Sequence, residues 1–517
     1  MPGHKGSRIF RENGYGSFLD HIMDCDITEI PGADNLFQPE TIIKETMERY
    51  RHLYDVKKTY LLVNGSSTGL IASILASVPF GEKLILARNC HKSIFNALAL
   101  GGIQPVYAYP EMMEEYGILG AVSAEEIAER MDENPEAAAV IIPSPNYYGI
   151  CSDIQAIAEE VHRRGKILIV DQAHGAHLKF FHDKTCDGHQ NHVARAACTE
   201  CRQSTETEII EGCPHSIEGT ACTECRQSTE KTMRAESRYR AETEKTSCGM
   251  LFPMAAETCG ADLVINSTHK TLASWTQSAI LNVCSDRVDL RVLEDKLQTL
   301  ESSSPSYPLM ASLDINADLL EKEGKRLINE WKANLQWFYE EAKKIPGLRI
   351  MEAPMLDPTK LNLDMSECGI DGNQLEEMLM QRGIFVELVT GNIVMGMSGI
   401  GNRRCDYERL IQALREISEE KKTACMENFA KQKATQTVWT VRPEQREIPI
   451  GKELIPLADA QGRICATSLI PYPPGIPLVC PGEVINQEVI DYVTKCRIHG
   501  EKVIGVDENG RILAGTV

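Results

Sequence analysis

Short apolar runs recur along the first 300 positions, each bounded by glycine, proline or polar residues. Continuous runs of this length are typical of strands that are buried on both faces of a sheet. Helical patterns with one apolar face lie between several of them, for example over 124–131 and 153–164. The sequence therefore predicts an α/β fold with a seven-stranded, mostly parallel sheet. The predicted strands are 60–63, 83–87, 105–109, 138–142, 166–170, 263–266 and 279–283.

The pattern changes after position 300. Helical patterns at 317–344, 375–381 and 406–417 alternate with strand patterns at 349–351, 384–388 and 392–395, which predicts a small α+β domain. We divide the chain into a large domain (1–300, opening on an extended arm over 1–36), an interface loop and small domain (301–420), a charged linker (421–437) and a C-terminal domain (438–517) with strands at 463–466, 502–506 and 511–514.

Reactive side chains follow two of the predicted strands. Strand 263–266 leads into Ser267, His269 and Lys270, and strand 166–170 leads into Asp171 and His174. Burial lowers the pKa of a lysine, and such a lysine can form a Schiff base. A Schiff-base lysine and an aspartate that pairs with a pyridine nitrogen are what a protein needs to use pyridoxal 5′-phosphate. A single lysine after a strand is more often a solvated strand end, but the two motifs together favour the cofactor.

A third strand end suits a phosphate group. Strand 60–63 runs into Asn64 and Gly65, then into the hydroxyl side chains of Ser66, Ser67 and Thr68 ahead of a helical pattern at 70–78. Backbone N–H groups and the positive end of a helix would converge there with three hydroxyls, as a phosphate requires. The spacing is not that of a Walker P-loop. An ordinary helix cap is the alternative interpretation.

Composition narrows the class of protein. With 517 residues, 43% of them apolar, the chain is long enough for several domains and cores. A formal net charge of −20 argues against a nucleic-acid surface. The sequence carries no apolar run of transmembrane length and no signal-peptide core, so we expect no membrane partner and a cytoplasmic location. The 18 cysteines are scattered, which fits thiols in a reducing compartment.

Nine motifs in a fixed order then carry a resemblance along nearly the whole chain. They are MPGHKG, DITE, NGSSTG, RNCHKS, SPNYYG, DQAHGAH, STHKT, SSSPSYPLMASLD and YPPGIPLVCPGE. With them the chain resembles the prokaryotic ornithine/lysine/arginine decarboxylase family, pyridoxal-phosphate enzymes of the aspartate-aminotransferase fold (fold type I). It resembles the short members without an N-terminal wing domain, which argues against a large decamer. Members carry residues ahead of the first motif, so we expect a truncated start.

The resemblance implies roles for the strand-end residues. Lys270 would hold pyridoxal 5′-phosphate covalently, Asp171 would keep the pyridine nitrogen protonated, and His91 would stack on the ring. The other implied cofactor contacts are Ser66, Ser67, Thr68, Ser267 and His269 around the phosphate and His174 in the pocket wall. The reaction implied is loss of carbon dioxide from a basic amino acid, with arginine to agmatine as first choice, lysine second and ornithine third.

The resemblance also implies a homodimer with shared active sites, in which the loop at 302–314 reaches the partner. Three carboxylates, Glu483, Glu387 and Asp314, are candidates to meet the distal cation of the substrate. Another pyridoxal-phosphate reaction, such as transamination, and a cofactor-free or metal-binding interaction protein are the alternatives.

One segment falls outside the resemblance. The chain has 98 residues between Asp171 and Lys270, and the excess, at about 184–247, is polar and contains a ten-residue repeat at 197–206 and 221–230. The repeat gives a CxxC pair twice, a spacing within the range of structural zinc sites. A copied unit also brings a second CxxC automatically, so we favour a poorly packed surface insertion over a metal site. Impaired activity is a further possibility. The zinc alternative would use Cys198, Cys201, Cys222 and Cys225.

Overall fold

The computed structural model describes residues 1–182, 252–422, 443–472, 477–498 and 502–516. The α-helices of these residues are α1 (Arg8–Glu12), α2 (Gly16–Asp20), α3 (Ile42–Tyr54), α4 (Ser66–Ser77), α5 (Lys92–Gly101), α6 (Ala124–Glu133), α7 (Ile154–Arg163), α8 (Thr268–Thr271), α9 (Leu290–Leu300), α10 (Tyr307–Ala342), α11 (Gly372–Gln381), α12 (Arg404–Lys422) and α13 (Gln487–Ile498).

The strands of the same residues belong to one large sheet, one small sheet and three two-stranded antiparallel pairs. They are β1 (Lys58–Leu62), β2 (Lys83–Ala87), β3 (Gln104–Ala108), β4 (Met112–Met113), β5 (Ile118–Leu119), β6 (Ala139–Pro143), β7 (Ile167–Asp171), β8 (Leu263–Asn266), β9 (Ala279–Val283), β10 (Arg349–Ile350), β11 (Lys360–Asp364), β12 (Leu388–Thr390), β13 (Ile393–Met397), β14 (Lys452–Pro456), β15 (Ile470–Tyr472), β16 (Lys502–Ile504) and β17 (Arg511–Gly515).

The large sheet confirms the predicted fold class. Its seven strands run in the order β1-β9-β8-β7-β6-β2-β3, and β9 alone among them is antiparallel to its neighbours. Each strand overlaps one of the seven predicted apolar runs. Central strands such as β6 and β8 are buried along their whole length, because helices cover both faces of the sheet. Their carboxyl ends therefore share one edge, where ligands bind in folds of this kind.

A second apolar cluster joins the long helix α10 to the small sheet. That sheet runs β10-β11-β13-β12 and is antiparallel throughout. Trp331 and Phe338 of α10 are buried against it, together with side chains of α11 and α12. The predicted loop at 302–314 is wrong in its second half, because α10 begins at Tyr307. Pro308 lies in the first turn of the helix, where proline is tolerated, so it does not break the helix as it would in an interior turn.

The N-terminal residues are not the extended arm that the sequence predicts. Helices α1 and α2 form there, and Ile9 and Phe10 are each 2% exposed within the same apolar cluster as Trp331 and Leu272. Two adjacent apolar side chains were too weak a pattern to predict a helix, but their burial against the rest of the cluster stabilises one.

The C-terminal residues form an apolar cluster of their own around α13 and the pairs β14-β17 and β15-β16. The predicted strand at 463–466 is wrong, because Ile464 and Cys465 make only isolated bridges, to Val484 and Ala514. Strand β14 was not predicted. The segment at 184–247, the linker beyond Lys422 and the Pro-Pro-Gly run at 473–475 lie outside the described residues. The division of the chain into four parts stays a prediction.

Among the helices that the structure describes, none is long and apolar enough to cross a lipid bilayer.

Candidate active site

A cavity of about 220 Å³ lies at the carboxyl edge of the large sheet. Residues that follow β1, β2, β6, β7 and β8 line it, so five strand ends contribute to one wall. The structure brings together eight of the nine cofactor contacts proposed from the sequence. The eight that line the cavity are Ser66, Ser67, His91, Asp171, His174, Ser267, His269 and Lys270.

Lys270 and Asp171 come from the neighbouring strands β8 and β7. Burial lowers the pKa of Lys270, Asp171 and Glu387 oppose that shift, and Lys360 adds to it. Burial raises the pKa of Asp171, while Lys270 and the backbone N–H of Ala173 oppose the rise. Among the described residues, no carboxylate lies within ion-pair distance of the Lys270 Nζ. The lysine is therefore a partly desolvated amine without a close partner, which is what a covalent carbonyl-binding lysine requires.

The turn between β1 and α4 forms the second end of the cavity. Gly65 has φ +82°, a conformation that favours glycine, and α4 begins directly after it at Ser66. The serines of the first turn therefore lie at the N-terminus of a twelve-residue helix, where backbone N–H groups bind anions. Thr68, the ninth proposed contact, does not line the cavity. Its Oγ1 donates to the carbonyl of Asn64 at 3.4 Å.

His91 caps helix α5 and presents its ring to the cavity. The backbone N–H of Ser93 donates to its Nδ1 at 3.2 Å, so the neutral ring carries its proton on Nε2. Burial, together with the charges of Lys270 and Lys92, lowers the pKa of His91 to about 4. The ring is therefore neutral at physiological pH and can lie flat against another ring.

His269 and His174 are also neutral. Burial lowers the pKa of His269 to about 4, although its Nδ1 donates to the carbonyl of Ser278 at 2.9 Å. Burial lowers the pKa of His174 well below its usual value, with further lowering by Lys270. Tyr147 meets the ring of His174 edge to face, with centroids 5.4 Å apart.

A buried cation behind the cavity was missed from the sequence. Lys360 is fully buried, and its Nζ donates to the carbonyl of His174 at 2.6 Å and to Asp357 at 2.6 Å. Asp357 also accepts from His177 at 3.2 Å, and Lys360 with His177 holds the pKa of that carboxyl far below its usual range against the effect of burial. The run Asp-Pro-Thr-Lys at 357–360 has the composition of an exposed turn, so no local signal could have found this cluster.

The three carboxylates proposed for the distal cation of the substrate differ in position. Glu483 is wrong for that role, because its carboxylate is fully buried and paired with Arg88. Asp314 accepts from Thr46 and Arg49 and does not line the cavity. Glu387 is partly exposed, accepts from the N-terminal ammonium group at 3.3 Å and raises the pKa of Lys270 through its charge. Of the three, Glu387 alone has an electrostatic influence on the cavity.

The residues of the cavity fit pyridoxal 5′-phosphate. The hydroxyl of Ser267 and the Nδ1 of His174 are buried without a hydrogen-bond partner among the described residues, so both have capacity for a ligand. The cavity also offers an anion site at α4, a carboxylate at Asp171 and an amine at Lys270. In the described part of the chain, His, Cys, Asp and Glu side chains form no cluster of three that could hold a metal ion. The four cysteines of the zinc alternative lie outside it.

The chain matches two family models. The model described as "Orn/Lys/Arg decarboxylase, major domain" covers residues 1–195 and 246–352. The model described as "Orn/Lys/Arg decarboxylase, C-terminal domain" covers residues 423–509. The gap at 196–245 in the first match falls within the segment that the resemblance left out.

Curated relatives match along almost the whole chain. An uncharacterised protein of Bacillus subtilis, YaaO, is 30% identical over 96% of this chain and 90% of its own length. An arginine decarboxylase of the same organism is 27% identical, covering 98% of this chain and 92% of that protein. A lysine decarboxylase of Pseudomonas aeruginosa, LdcA, is 22% identical and is covered over 75% of its length.

Solved structures share the fold. Lysine decarboxylase A from Pseudomonas aeruginosa superposes with a TM-score of 0.69 at 20% identity, over 100% of this chain and 78% of that one. The constitutive lysine decarboxylase of Escherichia coli gives a TM-score of 0.68 at 19% identity, over 100% of this chain and 79% of that one.

Proposed function

The chain belongs to the Orn/Lys/Arg decarboxylase family, and from this we infer that it is a pyridoxal-phosphate-dependent carboxy-lyase of a basic amino acid. One observation carries the inference. Asp171, which ends β7, and Lys270, which follows the neighbouring strand β8, line the same cavity as the helix terminus at Ser66. An amine, a carboxylate and an anion site are the three groups that this cofactor needs from a protein.

We propose individual roles for the residues of the cavity. Bound at Lys270, pyridoxal 5′-phosphate supplies a ring that accepts the electron pair left when carbon dioxide departs. The ionised carboxylate of Asp171 would hold a proton on the ring nitrogen by its negative charge. Lys270 is suited to attack a carbonyl because burial lowers its pKa and increases the neutral fraction.

The remaining roles concern orientation. His91 would stack on the ring, and its cap on α5 fixes its direction. Ser66, Ser67 and Ser267 would hold the phosphate. Thr68 would act only through the turn, since its hydroxyl bonds Asn64. During the reaction the bond from Cα to the carboxylate breaks and a proton takes its place at Cα, so the product is a primary amine.

Arginine is the substrate that we propose. Arginine decarboxylases of three Bacillus species and of Halalkalibacterium halodurans are 26–27% identical to the chain over 91–92% of their own length. The lysine decarboxylases are 22–23% identical over 73–75%. The product would be agmatine. Lysine and ornithine are the competing substrates.

The test combines cofactor attachment with product analysis. Purified protein is loaded with pyridoxal 5′-phosphate, reduced with borohydride and digested, and the modified residue is located by mass spectrometry. Carbon dioxide and amine are measured with arginine, lysine and ornithine. We expect modification of Lys270 and the largest kcat/KM with arginine. Formation of a keto acid would favour transamination, and bound zinc without modification of Lys270 would favour the metal-binding alternative.

We also propose a homodimer and a cytoplasmic location. Apolar side chains at Met23 and Ile30 are 78% and 52% exposed, in a segment near Tyr307, whose hydroxyl donates to the carbonyl of Asp34. A second copy would cover them.

The cysteines of the described residues are all thiols, as in a reducing compartment. Light scattering and cell fractionation test the two proposals.

A further inference from the structure

Gly3 lies between the helix that carries Lys270 and the loop after the small sheet. Its N–H donates to the carbonyl of His269 at 2.7 Å, and its own carbonyl accepts from the N–H of Gly401 at 2.9 Å. Residue 269 immediately precedes Lys270. The backbone of the first motif therefore joins the reactive lysine of the large sheet to the small sheet.

Glycine is required at three positions of this contact. A Cβ at Gly3 would lie 2.5 Å from the carbonyl carbon of Thr271 and would also clash with the carbonyl oxygen of Leu272. A Cβ at Gly399 would lie 2.7 Å from the Cα of Gly3, and one at Gly401 would clash with the carbonyl of His4. All these neighbours are backbone atoms, which cannot rotate away as a side chain can. The three segments touch backbone to backbone.

Two further bonds close the same contact. The N–H of Ile400 donates to the carbonyl of Thr271 at 2.9 Å, and the Nζ of Lys5 donates to the carbonyl of Met397 at 3.2 Å. Lys5 has φ +51°, in the left-handed region that a lysine rarely adopts. Such a conformation persists only where the surroundings impose it. The segment is therefore held in one arrangement from both sides.

The lysine helix depends on such contacts. Helix α8 has four residues, and its N-cap, Ser267, makes no side-chain hydrogen bond to it. A helix of one turn has almost no stability of its own. The Nζ of Lys270 also has no ion-pair partner among the described residues. The position of Nζ is consequently set by where the backbone of α8 is held.

We propose that Gly3, together with Gly399 and Gly401, is a positioning element for Lys270. We call this contact the glycine tie. It holds the backbone of α8 against the loop at 397–401, and so keeps the amine at the cavity. The proposal rests on the assignment of Lys270 as the cofactor-bearing lysine.

The first test uses Gly3→Ala and a matched control, Gly324→Ala. Gly324 lies inside α10, where a Cβ would meet only Leu320 at 3.9 Å, an ordinary contact. Both proteins are loaded with pyridoxal 5′-phosphate, and the pH midpoint of the visible absorption change is measured beside kcat and thermal stability. We expect Gly3→Ala to shift the midpoint by at least 0.5 units and lower kcat at least tenfold, while Gly324→Ala keeps the wild-type midpoint and kcat. A loss of stability with unchanged midpoint and kcat would overturn the proposal.

The second test needs no variant. If the glycine tie holds the lysine in its binding position, cofactor attachment must strengthen the tie by the same free energy. Hydrogen exchange of wild-type protein is compared with and without cofactor. We expect slower exchange in peptides that cover 1–6 and 397–402, and no change in α11. Unchanged exchange in both peptides would contradict the glycine tie and leave the proposed function unaffected. Wild-type protein that never attaches cofactor at Lys270 would sink both the tie and the proposed function.

Discussion

The guanidinium of Arg88 donates two hydrogen bonds to the carboxylate of Glu483, from Nε to Oε1 at 2.6 Å and from Nη2 to Oε2 at 2.7 Å, and both side chains are fully buried. Arg88 follows β2, three residues before His91. Its remaining N–H groups donate to the carbonyls of Pro477 and Leu478, and Glu483 accepts from the N–H of Cys480 at 2.8 Å. The pair therefore attaches the C-terminal residues to the edge of the large sheet that carries the cavity.

Glu483→Gln is expected to destabilise the protein strongly. The change leaves the buried charge of Arg88 without a counter-ion, which typically costs about 3–5 kcal/mol. Glu453→Gln is the control, because Glu453 pairs with Arg463 at the surface and such pairs contribute about 0–1 kcal/mol. The stability of the two variants is measured by thermal unfolding and by the rate at which a protease cleaves the chain after residue 477. Equal behaviour of the two variants would contradict the structural role of the buried pair.

A buried glutamate behind the cavity is also predicted to be sensitive to loss of charge. Glu257 accepts from Asn266 at 2.7 Å, from Asn282 at 3.0 Å and from Gln172 at 2.8 Å, so it joins the ends of β7, β8 and β9. In Glu257→Gln, an N–H₂ group replaces one of the two acceptor oxygens. It would then face the N–H₂ group of at least one of Gln172, Asn266 and Asn282, donor against donor. Gln172 cannot simply flip, since its Oε1 accepts from the N–H of Ala256. We expect a loss of about 1–3 kcal/mol in unfolding free energy.

Glu301→Gln is the matched control for Glu257→Gln. Glu301 is 7% exposed, and neither of its carboxyl oxygens has a hydrogen-bond partner in the described part of the chain. Burial raises the pKa of Glu301 to about 7. A neutral amide should therefore replace it with little change near pH 7. If urea unfolding gave equal losses for the two variants, burial rather than hydrogen bonding would explain the effect at Glu257.

The parts that sequence patterns predicted share a local cause. The strands of the large sheet were predicted because segments such as Leu84–Leu86 and Leu263–Ile265 are continuous apolar runs between turn residues. A few consecutive residues are therefore enough to predict each strand. The cavity residues were found because they follow those strands. What could not be predicted depends on partners far away in the chain. Glu483 is buried by Arg88, 395 positions distant, and Lys360 by the carbonyl of His174, 186 positions distant.

Asp34 is predicted to stabilise α3 in a pH-dependent way. Its carboxylate accepts from the backbone N–H groups of Asn35, Glu40, Thr41 and Ile43 at 2.9–3.0 Å. Burial opposes ionisation, but these four donors outweigh it and lower the pKa of Asp34 to about 2. Because the folded pKa lies below the unfolded one, the stabilisation is complete above about pH 4 and is lost as the pH falls towards 2.

Asp34→Asn tests this sign. Asparagine tolerates the φ of +67° at this position, so the change removes the charge and one of the two acceptor oxygens without adding backbone strain. We expect a loss of about 1–3 kcal/mol at pH 7, because the N–H₂ group of asparagine would face two of the backbone N–H donors that the carboxylate of Asp34 accepts from. The difference from wild type should shrink in urea titrations between pH 4 and pH 3. A difference that stays constant over that range would show that the charge of Asp34 is not its cause.

Asp171 and Lys270 are predicted to fail in different ways when substituted. Lys270→Ala removes the amine, so borohydride should leave no cofactor on the protein and carbon dioxide release should fall to background. Asp171→Asn keeps the shape of the side chain and leaves the amine in place, so the cofactor should still attach. The neutral amide no longer holds a proton on the ring nitrogen, and kcat should fall about 10²–10³-fold, as when one electrostatic group is removed from a preorganised site.

Because Asp171 raises the pKa of Lys270 through its charge, Asp171→Asn should also lower the pH above which the lysine reacts with the aldehyde. Attachment rates measured between pH 6 and pH 9 detect that shift. An Asp171→Asn protein with wild-type kcat would remove Asp171 from the catalytic residues and leave Lys270 as a carbonyl-binding lysine alone.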